Sequence, residues 1–266
     1  QNVVQVRCSE SLSGDVQFTA RNGTARVFFG HNTFSYVLPV YDSTVSTRRV
    51  KQPGSYDKNA HQTQALYRLD CEFVGANSAP RIEARGRRSD ILNYYVNGRA
   101  WNDVPAFDTL VYYNLYPGID LRFRMHDGAM KYDVIVHPGA ELSRFSMRFA
   151  DAGSARQTES GAMRIVHPYG ELIDAAPTAE AIRGDGPYRD VGVRYVQYDE
   201  HTFGFALNEH VGTDEEIIID PAITWATYFG GRREDEVTDA VVNNAGFLVV
   251  CGWSLSDVFQ IGRAHV

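Results

Sequence analysis

Strict alternation of apolar and polar residues, broken at short intervals by turn formers, constrains this chain more than any other feature. The run IDLRFRM sets Ile119, Leu121, Phe123 and Met125 against Asp120, Arg122 and Arg124. FSMRF sets Phe145, Met147 and Phe149 against Ser146 and Arg148, and LYRLDCEF sets Tyr67, Leu69, Cys71 and Phe73 against Arg68, Asp70 and Glu72. Successive side chains of an extended strand point to opposite faces, so each run offers one dry side and one wet side. VQFTA, ARVFF, TFSYVL, YDVIV, VGVRYVQY and FGFAL are further short runs rich in β-branched or aromatic residues. No window longer than a turn or two has helical periodicity. GAELSRFSMRF and DAAPTAEAI have room for a short helical turn each.

The punctuation agrees. Asn22-Gly23, Asp127-Gly128, Pro138-Gly139, Gly161, Tyr169-Gly170 and Gly184-Asp185-Gly186 separate the runs. Pro117 fixes φ and has no N–H, and Gly118 accepts the backbone angles of a tight corner. IDLRFRM and MKYDVIV then read as the arms of a hairpin turning at Asp127-Gly128, with Pro138-Gly139 ending the return. Many short strands at this spacing predict an all-β fold of stacked antiparallel sheets, in one or two sandwich lobes. In the two-lobe version the boundary falls near Ala150–Gly161. Residues 42–65 are polar and predict a long loop, read either as a plain connection or as a binding loop.

Composition narrows the function classes. Aromatic residues make up 12%, which suits pleated surfaces. Net charge is −7 with no long basic run, so no surface built to neutralise phosphate, and no nucleic-acid partner, is expected. Twenty-three Arg stand against three Lys, Lys51, Lys58 and Lys131, a skew that carries no functional reading. Late acidic residues, Asp199, Glu200, Glu209, Asp214, Glu215, Glu216 and Asp220, predict a solvated face, with a cation site as the alternative. No apolar run approaches the ~20 residues of a membrane-spanning helix. The chain opens on Gln1, which fits a mature exported product or a fragment. Cys71 reads as a small buried apolar residue, and a Cys8–Cys71 disulfide remains open for an exported chain.

Catalytic motifs are absent: no G-x-S-x-G elbow, H-E-x-x-H, C-x-x-C or Walker loop occurs, and GWSLS at 252–256 lacks the second Gly of an elbow. His31, His126, His137 and His167 each lie beside a turn and predict surface positions. No catalytic residue, metal ligand or cofactor is assigned, and the binding residues are left unknown. Asn22-Gly23-Thr24 is a formal glycosylation sequon that also fits a hairpin turn.

Several segments in order resemble one family, the uncharacterised β-rich domain that precedes bacterial β-propeller repeats of the SBBP type. They are NYYVNGRAWNDVPAFDTLVYYNLYPGIDLRF (93–123), MKYDVIVHPGAE (130–141), GELIDAAPTA (170–179) and IIIDPAITWATYFGG (217–231). TYFGGRREDEVTDAVVNNAGFLVVCGWSLSDVF resembles one propeller repeat, through Gly230, Gly231, Glu234, Asp235, Ala240–Val242, Gly246, Phe247–Cys251, Gly252, Ser256 and Asp257. It departs from the repeat pattern at Val258, and at Gln260 where Pro is usual. One repeat is far short of the ~4–8 blades of a closed propeller.

The expected organisation is therefore a β-sandwich-like domain over 1–220, a first propeller repeat over 221–260, and an artefactual tail, IGRAHV, over 261–266. The resemblance implies an extracellular or cell-surface bacterial protein with a binding, adhesion or scaffold role. Its partners would be downstream repeats of the same chain and a surface glycan or protein. The competing reading is a carbohydrate-active hydrolase using a carboxylate pair in a sheet groove. A third is a domain that covers the edge of the first blade.

Overall fold

The computed structural model describes residues 3–5, 16–22, 25–40, 65–96, 99–126, 129–220, 229–231, 235–242, 248–255 and 259–261. Most of them are strand. The first half carries β1 (Val3–Gln5), β2 (Phe18–Asn22), β3 (Ala25–Phe29), β4 (Thr33–Val40), β5 (Ala65–Phe73), β6 (Arg81–Val96), β7 (Arg99–Tyr116), β8 (Ile119–His126) and β9 (Ala129–Val136). A single 3-10 turn, Leu142–Arg144, precedes β10 (Ser146–Arg148), β11 (Ser154–Gln157), β12 (Met163–His167), β13 (Gly170–Asp174) and β14 (Thr178–Arg183). β15 (Arg189–Val191), β16 (Val193–Gln197), β17 (Thr202–Leu207) and β18 (Glu215–Asp220) follow. The last four are β19 (Phe229–Gly231), β20 (Asp235–Val242), β21 (Leu248–Ser254) and β22 (Phe259–Ile261).

Fifteen strands join in one antiparallel path, β15-β14-β18-β9-β8-β7-β1-β2-β3-β4-β5-β10-β17-β16, with β6 added on β7. The path folds back on itself. β3 and β8 are four steps apart, about 19 Å in a flat sheet, yet Phe29 and Phe123 have ring centroids 4.9 Å apart. Phe34 meets Phe123 at 5.4 Å and Phe73 meets Tyr112 at 6.3 Å. Two stacked layers thus share an aromatic core of edge-to-face rings, a favoured arrangement of ring quadrupoles. The two ends of the path are halves of one segment, with only Gly192 between β15 and β16. Strands on both sides of residues 150–161 contribute to the same sheet and the same core.

The predicted registers hold where they are described. Leu69, Cys71, Phe73, Ile119, Leu121, Phe123, Phe145, Met147 and Phe149 are buried, while Tyr67 is only half-buried at the layer's edge. β8 and β9 pair from Ile119↔Val136 to His126↔Ala129, the register of the predicted hairpin, although residues 127–128 lie outside the described ones. Gly118 and Gly139 both take positive φ, 74° and 79°, as the two Pro-Gly corners require. Of the two candidate helical turns, 142–144 is one, whereas 178–183 is strand, because its alternating Ala179 and Ala181 pack into the core opposite Ile219 and Ile217. Residues 41–64 of the polar loop lie outside the described residues.

A separate three-stranded sheet, β11-β12-β13, lies on the core. Ala155, Met163, Ile165 and Leu172 are buried beneath it, and Arg156, Arg164 and Glu171 face out. β20 pairs with β21 and β19 with β22, forming two further two-stranded sheets. Trp253 and Leu255 are exposed there, while the side chains of Val241, Leu248 and Val250, and residues 262–266, fall outside the described residues.

Candidate functional site

The most unusual chemistry is buried. β13 alternates Leu172 and Asp174 inward, so the carboxylate of Asp174 enters the core beside apolar neighbours. Asp174 is 4% exposed. Tyr132 Oη donates to its Oδ2 at 2.6 Å, and Oδ1 has no partner. Tyr195 lies beside the same carboxylate and donates its hydroxyl to Ala175 O at 3.1 Å. Phe34, Tyr36, Tyr132, Met147, Phe149, Ile165, Leu172 and Asp174 enclose a cavity of about 10 Å³, which is roughly one water. Burial pushes the Asp174 carboxyl up to about 6; the tyrosine hydroxyls pull it down in part, and the charge of Asp220 adds to the rise. Burial also raises Tyr36, Tyr132 and Tyr195 well above the ordinary phenol.

Cys71 lies on the same inner face, a free buried thiol raised by burial. Its burial agrees with the small apolar reading of Cys71, while Cys8, the other half of the bridge left open, lies outside the described residues. A thiol held protonated is inert as a nucleophile.

The small sheet reaches the surface at His167. As a turn-flanking histidine it is expected in water, and it is instead 8% exposed. Its ring stacks on Tyr67 with centroids 5.2 Å apart and planes 16° from parallel, because Tyr67 ends the inward face of β5 directly beneath it. Burial lowers the His167 pKa, and Nδ1 accepts from Tyr169 N–H at 3.3 Å. Tyr169, 60% exposed, meets Tyr67 edge-on at 5.3 Å. Tyr67 Oη donates to Asp151 O at 2.8 Å, which fixes its ring. Beside β11 lies a broad open depression of about 570 Å³ lined by Arg156, Gln157, Gln197 and Glu200.

On the outer face of β8, β9 and β18 the charges are paired. His137 stands between two carboxylates, Nε2 3.0 Å from Asp120 Oδ2 and Nδ1 2.9 Å from Glu216 Oε2. Burial alone would lower its pKa, but these two partners outweigh it and raise it. With both nitrogens occupied, the ring is positioned as a brace and not as a base. Asp133, fully buried, takes Arg122 Nε and Arg124 Nη2 at 2.5 Å each. Glu200, Glu209, Asp214, Glu215 and Asp220 of the late acidic set are paired with arginines. Among the described residues no group of His, Cys, Asp and Glu is arranged to hold a metal ion.

Reading the sequence assigns no site residue; Asp174, His167 and Tyr169 are singled out by their surroundings in the structure alone. One signal is present in the sequence: GELID places Asp174 two residues beyond Leu172, on the same face of a strand. Residues 1–222 match the family described as Domain of unknown function (DUF7948). No curated protein and no solved structure matches the chain.

Proposed function

We propose that this chain, which belongs to the DUF7948 family over residues 1–222, is a non-catalytic binding or scaffold module of a larger exported bacterial protein. In this reading it acts at the cell surface or outside the cell, and residues 221–260 begin a series of propeller repeats. The order of the SBBP-like segments supports that setting. Two antiparallel pairs, β20 with β21 and, around them in the chain, β19 with β22, are compatible with the start of a blade.

One observation carries the non-catalytic reading. The only carboxyl among the described residues pushed up toward neutral pH, Asp174, sits in a space for about one water and is walled off by aromatic side chains. Catalytic sites need concave, reachable volume of a few hundred Å³ around such a group. The depression of that size lies elsewhere, is open, and is lined by Arg156, Gln157, Gln197 and Glu200. Exposed Tyr169, Tyr188 and Tyr198 offer rings suited to a surface glycan or protein ligand. The hydrolase reading keeps one supporting feature, the proximity of Asp220 to Asp174, and would require the cavity to open to substrate.

The test is direct. Purified chain incubated with a panel of nitrophenyl glycosides and esters is expected to give no turnover. Turnover lost in Asp174→Asn would overturn the binding-module reading.

A further inference from the structure

The sheet β11–β13 is tied to the molecule by side chains more than by backbone. Its ladders run only among its own three strands. Its main links to neighbours are the packing of Ala155, Met163, Ile165 and Leu172, Ala155 N–H to Glu200 O at 2.8 Å, and Gln197 Nε2 to Ala155 O at 2.7 Å. A unit with few backbone bonds to its surroundings opens before the body that carries it. The two ends of the sheet rest on titratable groups. The Met163↔Asp174 end sends the Asp174 carboxyl into the core against Tyr132, and the His167↔Gly170 end stands on the Tyr67 stack.

We propose that β11–β13 is a pH-gated cover over an aromatic floor of Phe34, Tyr36 and Phe149, closed when Asp174 at one end and His167 at the other are both uncharged. The groups facing Asp174 are Tyr36 from β4, Cys71 from β5, Tyr132 from β9 and Tyr195 from β16, with Asp220 of β18 as the nearby charge. None supplies a cation, so ionised Asp174 has only hydroxyl donors and one oxygen without a partner. His167 faces Tyr67 and Tyr169, with Asp151 beside Tyr67.

The two ends respond to pH in opposite directions. The raised pKa of Asp174 means closure is favoured at low pH and weakened as pH rises through about 6. The lowered pKa of His167 means closure is favoured above 6.5 and weakened as pH falls through the depressed value. The two responses oppose one another across the mildly acidic range, where neither contribution is complete, so each is read cleanly only when the other group is removed. Opening lifts Ile165 and Leu172 from the floor and carries Asp174, on β13 itself, away from Tyr132 and into water.

Amide hydrogen exchange of the full chain, corrected for the intrinsic pH dependence of exchange, tests this at residues 154–174 with β8 and β9 as the reference. His167→Phe keeps a ring on Tyr67 and isolates Asp174. Its opening constant is expected to rise about tenfold between pH 5 and 7.5, from a carboxyl at about 6 when covered and 3.8 when open. Asp174→Asn isolates His167, and its opening constant is expected to fall over the same range. An equal response in β8 and β9 would mean that the whole domain titrates and that no cover exists. A tenfold rise persisting in Asp174→Asn would also overturn the proposal. Should either variant fail to fold, ¹³C titration of the wild-type Asp174 carboxyl decides: a midpoint near 3.8 overturns it, and one near 6 supports it.

Discussion

Asp133 and Asp174 are both aspartates removed from water, one on the outer face of the β8–β9 layer and one inside the core, and the molecule treats them differently. Asp133, with no exposure, is met by two guanidinium groups. Asp174, at 4%, is met by a tyrosine hydroxyl at 2.6 Å and by no cation. Removing a carboxylate from water costs several kcal/mol unless charge compensates it. Asp133 is met by opposite charge, whereas Asp174 has none beside it and keeps its proton above the ordinary carboxylate range. Outward positions can recruit long arginines whose stems lie along the sheet, but an inward position between two packed layers has only core side chains for company. Burial by itself therefore does not say how a carboxylate behaves. Its partners do.

The comparison breaks first at Asp133. Asp133→Ala should cost about 2–4 kcal/mol in urea unfolding, below the full value for a broken buried pair because Arg122 and Arg124, 32% and 41% exposed, can turn outward. A loss under about 0.5 kcal/mol, the ordinary range for surface substitutions, would show that the two guanidiniums stabilise nothing.

Asp174→Asn should act in the opposite sense. The folded carboxyl titrates at about 6, above its ordinary 3.8, so the stability of its protonated form is complete below 3.8 and is lost as pH rises through 6. The amide keeps an acceptor for Tyr132 and cannot ionise. It should gain about 1–3 kcal/mol at pH 8 and nothing near pH 3.5, measured as urea midpoints against pH. A destabilised variant at pH 8 would mean that the ionised carboxylate is compensated by something other than the tyrosines.

His137 sharpens the same contrast on the outer face. Its pKa is raised, so its contribution is present below 6.5 and disappears as pH climbs through the raised value. Because the ring is more than a third exposed, the effect is reduced to about 0.5–1 kcal/mol. His137→Gln should remove that slope from the stability–pH curve, and an unchanged slope would place its origin elsewhere.

The smallest effect belongs to Arg68 and Asp70, joined at 2.6 Å but 61% and 35% exposed. Arg68→Ala should shift stability by less than about 0.5 kcal/mol, since solvent screens the pair and ordering both side chains opposes it. A larger loss would show that burial is not what separates this pair from Asp133.

Much of the architecture is legible in the order of the residues. The alternation in IDLRFRM and FSMRF assigns which side chains are dry, because strand geometry leaves a residue only two faces. The corners at Pro117-Gly118 and Pro138-Gly139 follow from the angles that proline and glycine allow, and both glycines do take positive φ. The same alternation places Asp174 on an inward face. It does not say that the space there is sealed, since the seal comes from Phe34, Tyr36, Tyr132 and Phe149, drawn from strands far along the chain. His137 lies 17 residues from Asp120 and 79 from Glu216, and their meeting depends on β9 being flanked by β8 and β18. His167 departs from its expected place for the same reason: its turn neighbours suggest water, but Tyr67, a hundred residues earlier, covers it. Backbone sterics and strand periodicity act within a few residues and are written locally. Strand neighbours are chosen by how the whole apolar surface can be buried at once, so which charges meet and which are sealed away is decided only when the two layers close on their aromatic core.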